Sequence, residues 1–230
     1  VEEAAVASLL DAAGLADRFR TAAGHEGGGV PSFAAADLSP EDLHERYVLR
    51  NLPVVLRSLH PGWAPLAWSS AHLRASSGSR SITVRHTDGA HQFGHPETDG
   101  MYTRTAMTVG SFLDALAAAE AAGEAAPYYA AQLSLRHDFP ELYADTRPLP
   151  PHLGALGPLW RGAPALYVGG AARTPLHFDA FDNLLCVVRG AKTLMLWPPG
   201  CAPLLYPGGG GEAIFSRADP FAPDLAAFPR

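Results

Sequence analysis

The segment Thr174-Pro175-Leu176-His177-Phe178-Asp179 places an imidazole and a carboxylate two positions apart. On an extended backbone, residues i and i+2 point to the same side. His177 and Asp179 can therefore offer a nitrogen and an oxygen to one metal ion. Such a mixed donor pair suits a borderline divalent cation such as Fe(II). The bare triplet is not specific. With 10 His and 13 Asp in 230 residues, chance supplies about 0.6 copies (10 × 13/230). A second copy does occur, His86-Thr87-Asp88. There Asp88-Gly89 reads as a turn and His86 as a strand end, so the structural reading is preferred.

The residues C-terminal to Asp179 separate the two copies. Asn183 precedes a run of five apolar residues, Arg189-Gly190-Ala191 forms a turn, and Lys192 opens a second apolar run that ends at Pro198-Pro199. Lys192 is the single lysine beside 16 arginines. At the head of an apolar strand it is either a snorkelling or turn residue, or an ammonium inside a barrel that requires an anionic partner. A cosubstrate carboxylate would provide that partner through a charge-assisted hydrogen bond.

The elements that must position these groups are set by periodicity and turn chemistry. Residues 1–24 show roughly helical spacing of Val6, Leu9, Leu10, Ala13 and Leu15, and residues 24–29 read as a flexible linker. Ser39-Pro40-Glu41-Asp42 predicts a capped helix start running to about Val48. Pro53-Val54-Val55-Leu56 predicts a short buried strand, and Trp68-Ser69-Ser70 a helix through Arg74. Ser81-Ile82-Thr83-Val84-Arg85 alternates as a strand, with Asp88-Gly89 as a hairpin turn. Residues 109–122 predict a helix, residues 128–133 and 165–168 strands, and residues 145–163 a loop. The runs 184–188 and 193–197 predict two further strands. Short, closely spaced strands indicate a sandwich or barrel rather than a parallel sheet with crossover helices.

Composition narrows the function classes. Hydrophobic residues make up 47% and charged residues 17%, enough to build a core. The net charge of −6 argues against a broad phosphate-binding surface. No apolar run is long enough to predict a membrane span. With only Cys186 and Cys201, no disulfide scaffold is expected and a reducing compartment is the default, cytoplasmic or nuclear. Cys186, in mid-strand, is expected to be buried and inert. The four tryptophans Trp63, Trp68, Trp160 and Trp197 read as packing residues, and His91 and His95 as loop histidines.

Taken together, Thr174 to Asp179, Asp182-Asn183-Leu184-Leu185, Arg189-Gly190-Ala191-Lys192 and Leu196-Trp197-Pro198-Pro199 resemble the JmjC (cupin-like) Fe(II)- and 2-oxoglutarate-dependent oxygenases. Pro53 to Leu56 with Trp63 and Trp68, and the stretch from Asp219 to Pro229, extend the resemblance to roughly residues 30–230. The resemblance implies a mainly β fold with flanking helices, a double-stranded β-helix (jelly-roll, cupin) barrel, incomplete at its C-terminal end. It implies three regions: an N-terminal helix and linker over 1–30, a helical/β part over 31–163, and the first part of the barrel core over 164–230. His177 and Asp179 would be two of three iron ligands. Lys192 and Thr174 would hold the far carboxylate of 2-oxoglutarate, Asn183 would lie near its chelating end, and Tyr129 would contact it.

The family's third ligand is a later histidine, and no histidine occurs after His177 in this sequence. The expectation is that the chain is a truncated piece of a longer protein, with His137 or His152 as the less favoured substitutes. The implied reaction couples oxidative decarboxylation of 2-oxoglutarate to hydroxylation of a substrate C–H bond. Among small members, protein lysyl hydroxylases and the tRNA wybutosine hydroxylase are the most similar. A protein substrate is preferred on charge, with tRNA next and histone demethylation third. A non-catalytic cupin-like binding module is the contrasting class.

Overall fold

The computed structural model describes residues 29–59, 61–86, 103–156, 164–170, 172–208 and 214–229. The expected N-terminal helix, most of its linker, Trp160, His91 and His95 lie outside these residues.

The entry segment forms around one capped helix. Strand β1 (Ser32–Ala34) pairs in parallel with β2 (Val55–Arg57), and helix α1 (Pro40–Arg46) lies between them in sequence. Ser39 caps α1 as its sequence predicts, its Oγ accepting from the Asp42 amide at 3.0 Å. Leu38, Leu43, Tyr47 and Ala155 form a small core here, which holds the 3-10 helix Pro151–Leu156 against α1. The β2 strand is not buried as expected: Val55 is exposed, because only one neighbour strand and one face cover it.

The main sheet has the order β4-β3-β5-β6, all antiparallel: β3 is Ser81–His86, β4 Thr103–Thr108, β5 Tyr128–Ser134 and β6 Ala165–Gly169. Alternation in β3 buries Ile82 and Val84 on one face. Helices α2 (Ser70–Ser77), α3 (Val109–Ala122), α4 (Leu135–Asp138) and α5 (Pro140–Asp145) complete the fold. Phe112, Leu113, Leu135 and Leu142 from these helices, and Phe139 between α4 and α5, pack with Ile82, Val84, Ala130 and Trp68 into the principal core. Helix α3 ends at Gly123, whose φ of 70° supplies the left-handed cap a Cβ would disfavour. Trp68 packs as expected, with its Nε1 donating to Asp145 Oδ2 at 3.0 Å.

The Asp88-Gly89 turn lies outside the described residues; the strand that β3 pairs with next in sequence is β4, with His86 opposite Thr103. One expectation fails on pairing. The runs 184–188 and 193–197 carry no strand pairing, although Gly190 makes the expected turn at φ 81°. A strand needs a hydrogen-bonded neighbour, and none of the described residues supplies one there. Leu185, Val187, Leu194 and Leu196 are consequently exposed, and so is Cys186, contrary to the expectation of a buried thiol. No closed barrel forms among the described residues; the architecture is an antiparallel sheet with flanking helices.

A polar clamp ties α2, β3 and α5 together. The buried Ser77 hydroxyl donates to Glu141 Oε1 at 2.6 Å, and Arg80 Nη2 lies 3.2 Å from both carboxylate oxygens. The Ser77 hydrogen bond, with help from Arg80, holds the Glu141 carboxyl below its usual range. A lowered native pKa contributes stability above the unfolded carboxylate range and loses it as pH falls through the native value. The melting temperature of the unmodified protein should therefore exceed that of Glu141→Gln at neutral pH, and the gap should close in acid. An equal gap at both pH values would show that the clamp owes nothing to ionisation.

Candidate metal and cosubstrate site

Proline organises the His177 segment. Pro175 is buried, and it restricts Thr174 to extended backbone. The Phe178 amide donates to Ile214 O at 3.1 Å and the Ser216 amide to Leu176 O at 2.8 Å, so residues 176–178 are held as an extended piece beside 214–216. The second of these pieces is in turn anchored to 206–208 through Gly208 N to Phe215 O at 2.8 Å. Alternation then turns Phe178 away, 59% exposed, and leaves His177 and Asp179 on a common side.

The two side chains meet. His177 Nε2 lies 3.7 Å from Asp179 Oδ1. His177 Nδ1 is 2.8 Å from Pro175 O, which can only accept, so Nδ1 donates there and Nε2 is the ring nitrogen left facing Asp179. A backbone carbonyl on the second ring nitrogen is the usual support of a metal-ligating histidine. Asn183 Nδ2 donates to Asp179 Oδ2 at 2.8 Å, orienting the carboxylate with Oδ1 toward the imidazole. With metal–ligand bonds of about 2.1 Å, donors at a right angle sit about 3.0 Å apart, so the observed pair needs a small approach to share an ion. The donor types and supports fit a divalent metal as two of its ligands. Among the described residues no group of three His, Cys, Asp or Glu side chains gathers.

Neither substitute third ligand reaches this place. His152 is buried beneath Leu38, with Nε2 2.7 Å from Leu38 O. His137 is exposed on α4. Neither joins His177 and Asp179 in a group of three potential ligands among the described residues: His152 sits against the entry core and His137 on the helix after β5. The other triplet is half described: His86 ends β3 as expected, its ring 4.9 Å from that of Tyr128.

Tyr129 lies on the sheet face opposite the principal core. Lys192 Nζ stands 5.9 Å from the centroid of the buried Tyr129 ring. Lys192 itself is solvent-accessible, and among the described residues no carboxylate pairs with it. Thr174 is exposed three residues before His177. Tyr167 on β6 lies beside Tyr129, with centroids 6.4 Å apart, and is hydrogen-bonded to Gln132. Burial, and then the neighbouring Tyr167, raise the Tyr129 pKa, with Arg85 opposing; burial and the Asp179 charge raise that of Tyr167. Both phenols thus remain hydrogen-bond donors at neutral pH. Motif spacing does not single out Tyr167, Gln132 or Arg85. For Arg85 and Tyr167 the signal is strand alternation, which places them on the face opposite the apolar one; Gln132 departs from the alternation at the β5 bulge and carries no such signal. Gly169 sits directly across from Tyr129, and a Cβ there would fall 2.6 Å from Tyr129 Cδ2, so glycine is what lets the ring lie flat on the sheet.

A family model described as a cupin-like domain matches residues 40–230. This chain belongs to the cupin-like (JmjC) family. The cupin-like chain is 29% identical over 221 residues to the human bifunctional peptidase and (3S)-lysyl hydroxylase JMJD7, covering 84% of this chain and 69% of that protein. It is 29% identical over 154 residues to tRNA wybutosine-synthesizing protein 4 of Aspergillus oryzae, covering 64% of this chain and 14% of that protein. A shorter stretch of 65 residues is 43% identical to the lysine-specific demethylase JMJ31 of Arabidopsis thaliana, 26% of this chain and 11% of that protein. The chain therefore spans only a small part of the last two. No helix among the described residues is long and apolar enough to cross a membrane.

Proposed function

We propose that the cupin-like chain carries the iron- and cosubstrate-binding part of an Fe(II)- and 2-oxoglutarate-dependent oxygenase that hydroxylates a protein side chain. The observation that supports this most is the supported donor pair. His177 Nε2 lies 3.7 Å from Asp179 Oδ1, and both side chains are oriented by groups behind them. Bound Fe(II) with 2-oxoglutarate and dioxygen would supply the oxidising power, with succinate and carbon dioxide as coproducts.

The residues divide the remaining work. Pro175 O keeps His177 in the ligating tautomer. Asn183 holds the Asp179 carboxylate in place. Asp179 would bring negative charge to a divalent ion. Lys192 would take the far carboxylate of 2-oxoglutarate through a charge-assisted hydrogen bond, with Thr174 adding a hydroxyl donor. The protonated Tyr129 and Tyr167 would form the wall on which the cosubstrate lies, excluding water from one side of it.

A protein substrate agrees with the 84% coverage of this chain by the relationship to a lysyl hydroxylase and with its net charge of −6. A tRNA substrate is the second reading, carried by the similarity to proteins named for wybutosine synthesis. The reading is tested by calorimetry with Mn(II), a redox-inert surrogate, and 2-oxoglutarate. Mn(II) should bind, and 2-oxoglutarate should bind more tightly in its presence. Absence of any Mn(II)-dependent change in 2-oxoglutarate binding would refute the assignment.

A further inference from the structure

The sheet face that carries Tyr129 also carries two arginines on neighbouring strands. Register sets Arg104 of β4 directly opposite Arg85 of β3, and Arg85 directly opposite Tyr129 of β5. Like charges directly opposite one another on neighbouring strands are disfavoured. Lys192, over Tyr129, continues the row, so positive charge runs across the sheet from β4 toward the proposed iron site.

A cleft of about 400 Å³ opens along this face, lined by Thr83, Arg85, Arg104, Gln132 and Asp138 together with backbone of β3 and β5. Its floor contains the bulge in the β5–β6 pairing, where Gln132 adopts φ 59°. Left-handed backbone at a non-glycine residue is costly and clusters at ligand-binding places. The one carboxylate on the rim, Asp138, is already engaged, its Oδ2 accepting from the Ser134 amide at 2.7 Å. Among the described residues Arg104 makes no ion pair.

We propose that Arg85 and Arg104 form a subsite for an acidic side chain of a peptide substrate, adjacent to the residue presented to the proposed iron site. The inference rests on the oxygenase reading for its location and deepens it. Guanidinium groups match carboxylates in a planar, two-point manner. Two of them on one cleft wall suit one compact anion, the Asp138 carboxylate being turned to the Ser134 amide. A nucleic-acid strand would require a longer cationic track, and the chain as a whole is acidic.

The test uses two fluorescein-labelled pools of short degenerate peptides with a central lysine, one with glutamate and one with glutamine at the flanking positions. Binding to the full chain is followed by anisotropy at low and at physiological salt. The glutamate pool should bind about tenfold more tightly, corresponding to about 1.4 kcal/mol, with the preference reduced by salt. Arg104→Gln should abolish the preference and Arg104→Lys should restore part of it. Arg104 is exposed on an edge strand, and melting curves verify that both variants fold. Equal binding of the two pools, a preference that persists in Arg104→Gln, or displacement of the glutamate pool by a single-stranded RNA in an Arg104-dependent manner would each overturn the proposal. Should the Mn(II) titration fail while the Arg104-dependent preference holds, the oxygenase reading falls and the acidic-peptide subsite stands.

Discussion

Replacing Asp179 with alanine should eliminate metal-dependent turnover of 2-oxoglutarate. The carboxylate is one of the two donors that the His177 segment brings together, and it is the only anionic one. Groups that merely support a metal ligand cost about 10- to 100-fold in metal affinity or activity when removed, so loss of a ligand should cost more than about 100-fold. The fold should survive. The Asp179 side chain is 56% exposed, and its hydrogen-bond partner Asn183 is itself at the surface. A surface change of this kind shifts stability by about 0.5 kcal/mol or less. The informative measurement is therefore Mn(II) affinity by calorimetry beside a thermal melt. Weakened Mn(II) binding with an unchanged melt is the expected pair of results. Mn(II) affinity equal to that of the unmodified protein would remove Asp179 from the metal site.

The second large effect is expected at the other end of the cosubstrate. Lys192→Ala should raise the dissociation constant for 2-oxoglutarate by about 10- to 150-fold, the equivalent of about 1.5–3 kcal/mol for a hydrogen bond to a charged group. Mn(II) binding without 2-oxoglutarate should stay as it was, because Lys192 approaches Tyr129 rather than the donor pair. The split between the two titrations matters, since a general disruption of the region would weaken both. Lys192→Arg should recover only part of the affinity: it returns the charge, but a planar fork replaces a compact ammonium above the Tyr129 ring. An unaltered 2-oxoglutarate affinity in Lys192→Ala would mean that the lysine is a surface residue whose closeness to Tyr129 has no bearing on the cosubstrate.

Local chemistry is legible wherever one short segment settles its own conformation. Ser39 and Ser69 each cap the next helix, by hydrogen bonds of 3.0 and 3.1 Å to the third amide along. The 109–122 periodicity gives helix α3 with both boundaries correct. The His177–Asp179 juxtaposition belongs to the same class, because extended backbone alone places i and i+2 together. Strand β4 is not legible. Thr103–Thr108 is polar and mostly exposed, with no apolar alternation, and exists because β3 offers it a complete register. The strands expected at 184–188 and 193–197 show the converse: suitable residues without a hydrogen-bonding neighbour among the described ones.

Sequence by itself determined the donor types, their spacing and the turn at Gly190, since these depend on covalent neighbours and on backbone preferences of a few residues. Only the tertiary structure decided that Asn183 grips Asp179, that Lys192 stands over Tyr129, and that Arg104, Arg85 and Tyr129 form one row. The row joins residues from three strands, and strand register is set by which faces are buried and which bulges interrupt the ladder, a property of the packed sheet that no single segment contains.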